Sequence, residues 1–151
     1  MRSLHRPSES ALRAGFLTLA ALHLALGAWM ITSPHSFFKT IGAFEAYNPH
    51  YERDTATFYL AFALGAFFAA TRPAWRVPVL AMITLQYAAH TINHAFDAGR
   101  ANNSWAGGFD VVSLALATAQ FALLLWLLAR PGNPRTTAPR ERRADVTPVN
   151  S

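Results

Sequence analysis

The sequence predicts an all-α integral membrane protein, a four-helix bundle with both termini in the cytoplasm. Three observations lead there. First, 52% of the 151 residues are hydrophobic and 14% are charged, whereas a soluble domain carries roughly a quarter charged residues. Second, the segments Ala14–Thr32, Thr55–Thr71, Val77–Phe96 and Val111–Ala129 contain no Asp, Glu, Lys or Arg. Each has about the length needed to cross ~30 Å of hydrocarbon as a helix, and in lipid such a segment must satisfy its own backbone hydrogen bonds. Third, the basic residues are unevenly distributed. One side of the predicted membrane holds Arg2, Arg6, Arg13, Arg72, Arg76, Arg130, Arg135, Arg140, Arg142 and Arg143, and the other holds Lys39, Arg53 and Arg100. Ten against three places both termini inside under the positive-inside rule.

Taken in order, residues 1–10 form a short polar cytoplasmic lead. The first helix spans about 12–32 and ends near Pro34, which disfavours helix at the residue before it. Its apolar run exceeds a signal-peptide core and lacks a small-residue cleavage site, so it reads as a retained span. Residues 35–52 are rich in aromatics, among them Phe37, Phe38, Phe44, Tyr47 and Tyr51, and suit an amphipathic stretch at the outer interface. A second helix follows over 53–71, a tight "TRPAW" turn, and a third helix over 76–97 with Pro78 tolerated in its first turn. "GRANNSWAGG" reads as a polar turn into the fourth helix, 109–129. Residues 131–151 lack hydrophobic period and form a disordered basic cytoplasmic tail. Gly27 with Ala20 and Ala28, Gly65 with Ala61 and Ala69, and Ala115 with Ala119 offer small-residue spacings that let helices approach closely in lipid.

The chain has no cysteine, which excludes disulfides, thiolate metal sites and covalent c-type haem. Its net charge of +5 sits mostly at the cytoplasmic ends, suited to anionic lipid headgroups and not to nucleic acid. The expected location is the plasma or inner membrane, with a homo-oligomer or a membrane complex as candidate assembly.

Polar residues within the spans carry the functional signal. In "QYAAHTINHAFD" (86–97), Gln86, His90, Asn93, His94 and Asp97 share one helical face. His50 and Asp54 lie at the outer end of the second helix beside Arg53, Asp110 lies at the start of the fourth, and His23 lies near the middle of the first. Buried ionisable groups in a membrane normally face the bundle interior and mark function. Two imidazoles one turn apart supply metal ligands of suitable spacing, so His90 and His94, with His50 and Asp54 or Asp97, form a candidate metal set. Asp110, Arg53, Asn93, Gln86 and His23 would support it. Imidazole with carboxylate suits one divalent transition metal: Zn, Cu, Fe or Mn. "HTINH" lacks the glutamate of the zinc-protease motif, since Thr91 stands there. A haem spanning both helical histidines is geometrically excluded.

"AYNPHYERD" (46–54) together with "HTINH" (90–94) resembles a group of uncharacterised small four-helix bacterial membrane proteins of actinobacterial type. Their pattern approximates Y-N-x-H-x-x-R-D and H-x-x-x-H, over roughly residues 14–129. The resemblance implies the fold and the pairing of the two motifs, carried here by Tyr47, Asn48, His50, Arg53, Asp54, His90 and His94. Where that pattern can continue with a third histidine, this chain has Asp97. A likeness to DoxX-like proteins rests on helix count. The expected function is an outward-facing His/Asp site, metal-binding and accessory to redox chemistry. The alternatives are a structural subunit of a membrane complex and a metal-dependent membrane enzyme.

Overall fold

The structure, a computed structural model, describes residues 7–42, 44–102 and 105–130. Residues 1–6 of the expected cytoplasmic lead and the whole of the expected tail, residues 131–151, lie outside it. The described chain is helical: α1 (Glu9–Thr32), α2 (Pro34–Thr40), α3 (Pro49–Thr71), α4 (Arg76–Asp97) and α5 (Ala106–Ala129), with short 3-10 turns at Pro73–Trp75 and Ala98–Arg100. The expected four helices are joined by a fifth, α2, inside the segment read as an interfacial stretch. Pro34 ends one helix and opens the next, because its fixed φ and missing N–H suit a first helical position.

The caps explain why two helices begin earlier than their apolar runs. The Ser8 hydroxyl accepts from the Ala11 N–H at 3.2 Å, so α1 starts at Glu9. The Asn48 side chain accepts from the N–H groups of His50 at 3.0 Å and Tyr51 at 3.3 Å, with Pro49 next to it. That cap sets where α3 begins, and therefore which first-turn side chains point inward.

The helices associate as two antiparallel pairs, α1 with α3 and α4 with α5. Small residues explain the first pair. Ala56, Ala66 and Ala69 are fully buried along α3, and a Cβ on Gly27 would come within 2.9 Å of Leu60. Of the small residues singled out in the sequence, Ala20, Gly27 and Ala69 are buried and Gly65 half-buried, whereas Ala28, Ala61, Ala115 and Ala119 are exposed. The buried small-residue stripe of α3 itself runs through Ala56, Ala63, Ala66 and Ala70.

At one end the two pairs meet. Phe16, Leu19 and Ala20 of α1, Ala66, Ala69 and Ala70 of α3, and Val79 and Ile83 of α4 form a common core. Arg76 seals this end: its guanidinium binds both carboxylate oxygens of Glu9, and its Nε donates to the Ala69 carbonyl at 3.1 Å. The Ala69 carbonyl lies in the last turn of α3, where intrahelical partners run out and a cation meets the negative end of the helix dipole. Towards the other end the pairs diverge, so the molecule has a narrow end and a wide end.

Helices α1, α3 and α5 are long and apolar enough to cross a membrane. Their surface suits lipid, with Leu24, Phe58, Leu64 and Leu116 all exposed. The most apolar stretch of α5 has no buried residue. Helix α4 is 22 residues long but carries the polar face.

Candidate functional site

The divergence of the two pairs leaves a cleft of about 650 Å³ at the wide end. Its floor is aromatic. Tyr59 and Tyr87 both line it, and beneath them His23 is wholly buried. The His23 Nδ1–H donates to the Leu19 carbonyl at 2.9 Å, so Nε2 is the acceptor and the Tyr87 hydroxyl donates to it at 3.3 Å. His23 thus positions Tyr87 and does not reach the cleft. Its partner on α4 is Tyr87 and not Gln86, because the inward face of α4 runs through Ile83, Tyr87, His90 and His94. Gln86 is half-buried and sits apart from this contact.

His90 and His94 stand one turn apart on the cleft wall, with ring centroids 4.6 Å apart and planes inclined by 36°. Asp110 faces them from near the start of α5, its Oδ2 lying 3.8 Å from His94 Nδ1. That distance is too long for a hydrogen bond. Both atoms are buried without a hydrogen-bond partner. Leaving a buried polar atom unpaired costs about 1–3 kcal/mol, and such atoms in a native site call for a functional account. The close approach of α5 to α4 has a local cause at Gly107: a Cβ there would collide with the Ala98 carbonyl oxygen. Any other residue would push the start of α5, and Asp110 with it, away from His94.

The wide end is crossed by a strap. Phe44 and Ala101 form an isolated antiparallel bridge, and Asn102 Nδ2 donates to the Glu45 carbonyl at 2.9 Å. Arg100 binds Asp97 at 3.1 Å and Glu45 at 3.6 Å. Glu45 adopts a positive φ of 53°, a left-handed conformation costing about 1–2 kcal/mol for a side-chain-bearing residue. The strap thereby holds the Phe44 ring edge-on to His94, at 4.7 Å between centroids.

The five expected metal ligands do not come together. His50 and Asp54 pair with each other at 3.3 Å, with side chains 84% and 63% exposed, and neither lines the cleft. Arg53 is exposed as well. Asp97 is engaged by Arg100, and Asn93 is exposed at the mouth. Among the described residues, no group of three or more His, Asp or Glu side chains is arranged to hold a metal ion.

The acidic α3 residue that does line the cleft is Glu52, buried to 6% exposure. The sequence reading passed over it for its neighbours His50, Arg53 and Asp54. The signal that finds it is the alanine stripe: stepping back four residues from Ala56 reaches Glu52, while His50 and Asp54 lie on the other side of the helix. No family model matches the chain, and no curated protein or solved structure matches it either.

Proposed function

We propose that this chain is a four-span membrane protein whose cleft opens on the outer face and takes a small amphiphilic ligand, oriented by His94 and Asp110. The observation that carries the reading is the pair of buried, unpartnered atoms His94 Nδ1 and Asp110 Oδ2 in a cleft also lined by aromatic and aliphatic side chains. Ligand sites are concave, mostly apolar, and furnished with few polar groups that set orientation. A ligand hydroxyl or carbonyl entering between helices would meet one or both atoms, while its apolar body would lie against Tyr59, Tyr87 and Phe44.

Helix α4 supplies the fourth crossing in this reading. Its 22 residues reach about 33 Å at 1.5 Å per residue, and its histidines face the cleft instead of lipid. The arginine asymmetry supports an arrangement with the narrow end cytoplasmic and the strap outside. A reporter active only in the cytoplasm, fused after Arg130, is expected to be active, and one fused within residues 101–104 silent. The reverse pattern would invert the orientation.

Binding is tested by equilibrium dialysis of the full chain in phosphatidylcholine nanodiscs, with triphenylphosphine oxide as a neutral aromatic hydrogen-bond acceptor. Loss of one hydrogen bond is worth about 0.5–1.5 kcal/mol, so His94→Ala is expected to weaken binding roughly 2- to 12-fold. His50→Ala and Asp54→Asn are expected to change nothing, because neither side chain lines the cleft. Equal losses at His50 and His94 would defeat the proposal.

A further inference from the structure

The cleft has the opposite sign to the rest of the molecule. The chain carries a net charge of +5, yet the cleft is lined by four carboxylates, Glu45, Glu52, Asp97 and Asp110, against the single guanidinium of Arg100. Arg100 is already ion-paired to Asp97 and Glu45 at the mouth. Among the described residues, the two deeper carboxylates have no cation of their own. Glu52 is 6% exposed and Asp110 8% exposed, Asp110 Oδ2 has no hydrogen-bond partner, and the nearest basic group to it is the imidazole of His94 at 3.8 Å.

From this we infer that the ligand of the cleft is a lipophilic organic cation, with Glu52 and Asp110 as its counter-charges. The inference rests on the cleft-binding reading above and specifies its ligand class. Glu52 projects from α3 and Asp110 from α5, so the acids occupy the two opposite helix pairs that form the cleft. A compact metal ion needs several ligands in one shell, and no such cluster is present among the described residues. A diffuse charge spread over an apolar body can be met from two walls at once. The lining supplies the remaining chemistry, since Tyr51, Tyr59, Tyr87 and Phe44 offer aromatic rings, whose faces attract cations through the ring quadrupole. Uncompensated carboxylates within a membrane protein are costly and mark the path of a charged ligand.

The test compares two probes of similar shape on the full chain in phosphatidylcholine nanodiscs: cationic tetraphenylphosphonium and neutral triphenylphosphine oxide, with empty nanodiscs subtracted. The expected result is at least a tenfold tighter Kd for the cation, and a ratio of the two affinities that falls about tenfold in Glu52→Gln. Arg53→Gln, one residue along but exposed, should leave the ratio as it is. Equal binding of both probes to the wild type would overturn the cation inference and leave the cleft reading standing. A preference that survives in both Glu52→Gln and Asp110→Asn would also overturn it, because the cation would then be held elsewhere. Saturable binding of neither probe would end both.

Discussion

Gly107→Ala is expected to destabilise the protein and to separate Asp110 from His94, although alanine is the better helix former. Two effects compete. In a helix interior alanine is favoured over glycine by roughly 0.5–1 kcal/mol, which argues for stabilisation. Against it stands the collision of the new Cβ with the Ala98 carbonyl oxygen. That obstacle is backbone and cannot rotate away, so the start of α5 must move. Overpacking of this kind costs typically 1–3 kcal/mol, and the net expectation is a loss of about 1–2 kcal/mol. Gly108 is the internal control: a Cβ there meets nothing within 4 Å, and Gly108→Ala is expected to leave stability equal or slightly raised. Thermal unfolding in detergent reads the stabilities. Because the chain has no cysteine, spin labels at Asn93→Cys and Ser113→Cys read the helix separation directly. If Gly107→Ala matched Gly108→Ala in both measurements, the close approach of α5 to the Ala98 turn would not be what seats Asp110.

The second large effect is expected at the α1–α3 seam. Ala66 is wholly buried within the core shared by α1, α3 and α4. Ala66→Leu adds three carbons where no space exists, and a cost of roughly 1–3 kcal/mol follows from forced rotamers and helix displacement. Ala115 on α5 is exposed, so Ala115→Leu should stay within about 0.5 kcal/mol of the wild type. The comparison is read as the difference in thermal midpoint in one detergent. Equal damage at the two sites would mean that α5 packs its exposed face against something that the isolated chain does not contain.

These two experiments separate what is local in this protein from what is not. All-helical structure and membrane-scale spans were legible from composition alone, because an uncharged run of 17 or more apolar residues has few other solutions. Helices α1, α3 and α4 end close to Pro34, Pro73 and the Asn-Gly-rich turn, since those signals act on neighbouring backbone. The outcome at the caps was subtler. Ser8 and Asn48 start α1 and α3 a few residues before the apolar runs begin, and hydropathy does not register a cap.

The site was legible in part, and what it lacked came from helix rotation. Helical spacing placed His90 and His94 on one face, and the structure has them stacked together. The same spacing is equally satisfied by His50 with Asp54 on α3, which the structure turns outward into a pair of their own. Periodicity states which residues share a face and leaves open which face meets a partner. That choice was made by the alanines of α3, which permit close contact with α1 and thereby rotate Glu52 into the cleft. Gly107 decided the matter for Asp110, through a contact with the Ala98 turn that becomes visible when the chain is folded. The sequence by itself determined the helices, their approximate ends and the residue types available for chemistry, because these depend on neighbours in the chain. The tertiary structure decided which carboxylates face the histidines and that the two helix pairs diverge into a cleft. Those depend on steric fit between helices remote in sequence, where a single Cβ is enough to alter the outcome.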